Sequence, residues 1–69
     1  RIKNLERGDL VLFGTPETAE KPMRVTHVGL YLGNGRIIHS SHMVRINSLL
    51  PGENDYYENA YRLIAAVRM

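Results

Sequence analysis

The chain has 69 residues, 43% of them hydrophobic, a formal net charge of +2 and no cysteine. A chain of this size buries only roughly 60% of the surface its unfolded form exposes, and no disulfide can staple it, so it forms at most one small domain with a thin core. No apolar run is long enough to span a membrane as a helix, no charged-then-apolar leader opens the chain, and nine Lys and Arg are scattered among seven acids, which argues against a nucleic-acid footprint.

Gly8-Asp9 is a turn signal in which Asp9 caps local backbone N–H groups. Leu10 to Phe13 follows as a short apolar run without helical spacing, which predicts a central strand buried on both faces. Gly14 to Pro22 is polar and proline-bounded, a surface loop. From Val25 to Leu32 strict alternation predicts a strand, with Val25, His27, Gly29 and Tyr31 on one face and Thr26, Val28, Leu30 and Leu32 on the other. The second set, being uniformly apolar apart from Thr26, is expected to face the core. After Gly33-Asn34-Gly35 the chain returns as a strand over Arg36 to Ser40, and Met43 to Asn47 alternates again. Pro51-Gly52 breaks the chain, and the acidic, tyrosine-bearing stretch Glu53 to Asn59 fits either a loop or one helical turn. In Tyr61 to Met69 the odd positions are apolar and Arg62 and Arg68 alternate with them, so Tyr61 to Arg68 reads as a last strand. The sum is a mostly antiparallel sheet with little helix. Because the chain opens on Arg1 rather than Met, it is expected to continue an upstream segment.

Two histidines in the hairpin carry the chemical interest, and hairpin register decides whether they meet, since a one-residue slip moves every side chain to the other face. Asn34-Gly35 favours a two-residue primed turn, which pairs Gly33 with Arg36 and sets His27 opposite His42. A three-residue loop with a bulge instead sets His39 opposite Gly29 and makes His27 and His39 diagonal neighbours, about 7–8 Å apart at the backbone. Gly29 then leaves room for both rings. The chemistry that uses such a pair is a thiolate nucleophile: a neighbouring imidazolium lowers a cysteine pKa from about 8.5 to as little as roughly 3–4, and a second group on the other ring nitrogen fixes the tautomer. On pattern alone His27 reads more simply as a strand histidine with satisfied nitrogens.

Taken together, Gly8-Asp9-Leu10-Val11-Leu12-Phe13-Gly14, Thr26-His27-Val28-Gly29-Leu30-Tyr31-Leu32-Gly33, Ile38-His39-Ser40-Ser41 and Val44-Arg45-Ile46-Asn47-Ser48-Leu49 resemble, in order, the C-terminal half of the NlpC-type bacterial cell-wall peptidases, papain-like cysteine endopeptidases. The Ser-Ser and Val-Arg-Ile-Asn-Ser-Leu segments look most like the dipeptidyl-peptidase VI-like branch, which cleaves between γ-D-glutamate and an L-diamino acid in peptidoglycan stem peptides. The resemblance implies that residues 1–69 are the antiparallel sheet half of a papain-like α+β domain, with His27 as the catalytic histidine and His39 as its orienting partner, and so favours the three-residue loop. The cysteine it implies is absent, so a cysteine-bearing segment upstream or in another chain is an expected partner, alongside the stem peptide as substrate. A cell-envelope location, periplasmic or secreted, is likewise implied by the resemblance only.

Tyr31, Ser40 and Arg45 stand as candidate substrate contacts. Tyr31 shares the face of His27 and reads otherwise as core filler; Arg45 offers a planar fork to a carboxylate and reads otherwise as a solvated strand arginine. His42 takes no role, and Tyr56, Tyr57 and Tyr61 fit either a groove or the closing of a sheet. No cofactor or metal is expected: His39 and His42, three apart on a strand, point to opposite faces, and no Cys is available as a ligand. Gly33-Asn34-Gly35 is a turn and not a phosphate loop, because no helix pattern follows it. The alternative of a different class is a noncatalytic β module that grips cell-wall peptide. It separates from the enzyme by the fate of the thiol.

Overall fold

The computed structural model describes residues 4–68. Five strands, β1 (Leu10–Thr15), β2 (Arg24–Gly33), β3 (Arg36–Ser41), β4 (Met43–Ser48) and β5 (Leu63–Val67), form one sheet in the order β4-β3-β2-β1-β5, with each neighbouring pair antiparallel. Each strand lies where the apolar run, the alternation or the turn placed one. The last differs most: Arg62 N–H donates to the Asn59 carbonyl, Ala60–Arg62 closes a 3-10 turn, and β5 begins only at Leu63. Tyr61 is 77% exposed there, and Met69 lies outside the described residues. The stretch 53–59 is turn, with Tyr56 in a parallel bridge to Ser48.

The core is on the face the alternation had assigned to the site. Val11 and Phe13 of β1, Tyr31 of β2 and Ile37 of β3 are buried together with Leu49, and Leu5, Tyr57, Ala60 and Leu63 pack against them. Gly29 and Tyr31 are buried on this face and His27 is half-buried, whereas Val28 and Leu30 of the expected core set are 45% and 39% exposed. The segment after β4 folds back over the His27 face and brings Leu49 and Tyr57 onto it, while the described chain lays nothing over the other. Val67, Leu10, Leu30, Ile38 and Ile46 are successive cross-strand partners and form an apolar row across that open side. For the same reason β1, although flanked by strands on both edges, is buried on one face only, with Leu10 and Leu12 half-buried.

The hairpin between β2 and β3 combines the two turn readings. Asn34 and Gly35 have φ of 55° and 78°, the left-handed pair of a primed turn, and Gly33 pairs with Arg36 as the local preference demands. The register then shifts between Tyr31 and Gly33, so that Tyr31 pairs with Ile37 and Gly29 with His39. Leu32 is the extra residue of a bulge. A tight turn and the histidine register are thus compatible, and His27 does not fall opposite His42. Deleting Leu32 should therefore make the hairpin regular without flipping a face: we expect the Gly29 to His39 pairing to persist at a cost of about 1 kcal/mol for the lost half-buried side chain. Cross-strand nuclear Overhauser contacts in the deletion variant check this, and a shifted register would refute it.

The Gly8-Asp9 turn is tied to the far end of the chain. Asp9 is 3% exposed; its Oδ2 accepts the Glu6 N–H at 2.9 Å and Arg68 Nη2–H at 3.2 Å, and its Oδ1 accepts Arg68 Nε–H at 3.3 Å. The Arg68 guanidinium, with help from the Glu6 N–H, holds the Asp9 carboxyl below the usual carboxylate range. A cavity of about 340 Å³ beside this pair is lined by Leu5, Leu63 and Ala65 among others and includes neither His27 nor His39.

Candidate active site

The bulged register puts His27 and His39 on one face of adjacent strands. His27 pairs with Phe13 across β1 and β2, and His39 sits opposite Gly29, where a side chain would crowd it: a Cβ at Gly29 would lie 3.1 Å from Ile37 Cδ1, 3.3 Å from Val11 Cγ2 and 3.5 Å from His39 Cβ. With that space empty, His27 Nε2 comes to 2.7 Å from His39 Nδ1, and the rings meet edge to face at 82° with centroids 5.0 Å apart. His39 is 5% exposed. Its other nitrogen, Nε2, lies 2.7 Å from Asn47 Oδ1 on β4, and Asn47 Nδ2–H donates to the Asp55 carbonyl at 2.9 Å. Tyr57 closes the group from above, its ring centroid 4.7 Å from that of His39, 5.6 Å from that of His27 and 5.3 Å from that of Phe13.

The site thus holds four polar groups in line, from the Asp55 carbonyl to His27, inside an aromatic wall. Such an arrangement fixes ring orientation and tautomer, which is what a base for proton transfer requires. Burial, and secondarily the nearby His39 imidazole, push His27 below the ordinary imidazole value of 6.5. A histidine held neutral in the fold binds fewer protons there than in the unfolded chain, so its contribution to stability is full above about pH 6.5 and is lost as pH falls through its lower native value. We expect the unfolding free energy to decline from pH ~7 to pH ~5 and the decline to shrink in His27→Gln. Denaturant titrations at several pH values read this, and an unchanged slope would refute it.

The remaining expected site residues divide. Arg45 pairs across the strands with His39 and faces the same side, lining a cavity of about 220 Å³ with His39, Asn47, Ser41, Tyr56 and Glu58. Tyr31 is not at the site surface: it is 6% exposed in the core and its hydroxyl accepts the Gly35 N–H at 2.8 Å, a clamp on the turn. Ser40 is exposed and pairs with Val44, so strand alternation turns it to the face opposite His39. His42 sits alone between β3 and β4 with φ of 67°. Asn47 and Tyr57 were missed as members of the site. The signal for Asn47 was present, since alternation from Arg45 puts a polar residue on the inner face; nothing in the sequence marked Tyr57 over its neighbour Tyr56. Among the described residues no three His, Cys, Asp or Glu side chains converge on one point, and no helix is long and apolar enough to cross a membrane.

An imidazole pair braced by an amide thus stands on one face of an antiparallel sheet. Residues 1–66 match the NlpC/P60 family. The sheet is similar to that in an NlpC/P60 family protein from Bacillus cereus, with 31% identity and a TM-score of 0.64 over 96% of this chain and 20% of that one. It is also similar to a Staphylococcus aureus protein described as similar to lipoprotein, NLP/P60 family, with 27% identity and a TM-score of 0.63 over 97% of this chain and 20% of that one. No curated protein matches. The chain belongs to the NlpC/P60 family and spans 20% of the length of these two relatives. Members of this family are typically cysteine peptidases.

Proposed function

We propose that the polypeptide carrying this chain hydrolyses peptidoglycan stem peptides as a cysteine endopeptidase of the papain-like α+β class, cutting the bond between γ-D-glutamate and an L-diamino acid. The 2.7 Å contact between His27 Nε2 and His39 Nδ1 carries the reading, because it leaves the other nitrogen of His27 for a thiol and gives His27 a fixed orientation. The thiol belongs to a cysteine outside residues 1–69, this chain serving as the C-terminal, sheet-bearing part of the domain. In the reaction the thiol proton passes to His27, the thiolate attacks the scissile carbonyl to form a thioester, and the His27 imidazolium protonates the departing amine. Water then releases the acyl group. His39 holds His27 in place, and Arg45, on the same face with its side chain lining the cavity beside His39, meets a carboxylate of the stem peptide. The lipoprotein wording attached to the Staphylococcus aureus relative supports an envelope location.

The test is the intact mass of the native polypeptide before and after iodoacetamide, read beside hydrolysis of a γ-D-glutamyl-diamino acid peptide. One adduct with loss of hydrolysis is the expected result. A polypeptide that takes no adduct and hydrolyses nothing, yet retains stem peptide, would be a noncatalytic module, and the endopeptidase reading would fall.

A further inference from the structure

The hydrogen bonds around His39 have a direction, and it is set at the end remote from His27. The Asp55 carbonyl only accepts, so the Asn47 nitrogen that approaches it at 2.9 Å is the amide NH2. Asn47 therefore turns its oxygen to His39, 2.7 Å from Nε2, and that nitrogen must carry a proton. A neutral His39 then has a bare Nδ1, which accepts the proton on His27 Nε2 across 2.7 Å, and the lone pair of His27 is left on Nδ1. We propose that Asn47 is a positioning residue whose amide, clamped by the Asp55 carbonyl, sets the tautomers of both histidines and so selects Nδ1 of His27 as the basic nitrogen. The proposal rests on the catalytic reading for its consequence in turnover, but not for the tautomers themselves.

The clamp is built into the fold from several sides. Asn47 is held by its cross-strand pairing with Ile37. The Asp55 carbonyl also accepts the N–H of Ser48, at 2.8 Å, so both of its lone pairs are engaged, and the Asp55 carboxylate is paired with Arg36 of β3, which also reaches Glu53 at 3.2 Å. An amide in this position cannot flip without setting its oxygen against the carbonyl. A carboxylate there would still accept from His39 Nε2 but would set an oxygen against the Asp55 carbonyl oxygen, and its charge would favour a second proton on His39 as pH falls, removing at higher pH than in the native protein the acceptor that His27 needs.

The experiment uses the complete polypeptide with labelled histidines, its imidazole tautomers read by heteronuclear NMR beside steady-state kinetics. With the thiol alkylated by iodoacetamide, so that it has no proton to give His27, His27 and His39 are each expected to be protonated on Nε2 and bare on Nδ1. Asn47→Leu is expected to mix the His27 tautomers and lower kcat about 10- to 100-fold with KM nearly unchanged. Asn47→Asp is expected to keep the native tautomers at neutral pH and to move the acid limb of the pH profile upward, which a merely structural role would not do. A His27 protonated on Nδ1 and bare on Nε2 overturns the proposal outright, as does an Asn47→Leu protein with native tautomers and native kcat. Should Asn47→Leu fail to fold, the native tautomers and the Asn47→Asp pH profile decide. A protein with the expected tautomers but no thiol and no hydrolysis would defeat the endopeptidase reading alone.

Discussion

Replacing His27 with Ala in the complete polypeptide is expected to lower kcat/KM for stem-peptide hydrolysis by about 10⁴-fold or more, the scale on which nucleophile-activating bases fail when removed. The loss has two parts. Without an imidazolium beside it the thiol returns toward its ordinary pKa of about 8.5, so little thiolate exists at neutral pH, and the departing amine has no proton donor. The first part is separable, because the rate of alkylation by iodoacetamide reports the thiolate directly. We expect that rate to fall at pH ~7 in His27→Ala and to recover as pH approaches the free thiol pKa of about 8.5, while hydrolysis does not recover. His39→Ala is expected to retain more activity than His27→Ala, since His27 keeps its base but loses its brace at Nδ1 of His39. Hydrolysis undiminished in His27→Ala would refute the mechanism.

Phe13→Ala is expected to destabilise the fold by roughly 3–5 kcal/mol, the usual range for truncating a fully buried phenylalanine. Phe13 is 1% exposed and lies between the two halves of the structure that matter. Its ring is 5.3 Å from Tyr57, on the returning segment, and 5.8 Å from His27, on β2. The buried hydrophobic set comprises Val11, Phe13, Tyr31, Ile37 and Leu49, so a loss of this size is a large part of the roughly 5–15 kcal/mol that holds a typical domain together. Phe13→Leu, which refills much of the volume, should cost less and preserve the imidazole contact. Denaturant midpoints for the two variants check the order, and a cost below about 1 kcal/mol for Phe13→Ala would mean that the ring does not pin the core.

The strands were legible because alternation is a local property and the turn residues punctuate it. Gly33-Asn34-Gly35 and Pro51-Gly52 end elements where the chain reverses, and residues 10–13, 25–32, 36–40 and 43–47 all lie within strands. The candidate site was legible in part. Period-two spacing puts His27 and Gly29 on one face without knowledge of the fold, and one of two registers brings His39 beside them. Choosing between those registers on turn type alone had no single answer, since the hairpin uses the primed turn at Asn34-Gly35 and takes up the difference as a bulge at Leu32. The core face was misassigned because both faces of β2 carry apolar side chains and hydrophobicity does not say which one another segment covers.

By itself the sequence determined the alternating strands, the primed turn at Asn34-Gly35 and the shared face of His27, Gly29 and Tyr31, all consequences of backbone geometry acting over a few residues. Only the tertiary structure decided that Leu49 and Tyr57 cover that face and leave Leu30 and Ile46 bare, that Leu32 bulges, and that Asn47 reaches both His39 and the Asp55 carbonyl. These depend on which distant segments come together, and the periodicity of one strand holds no record of what will pack against it.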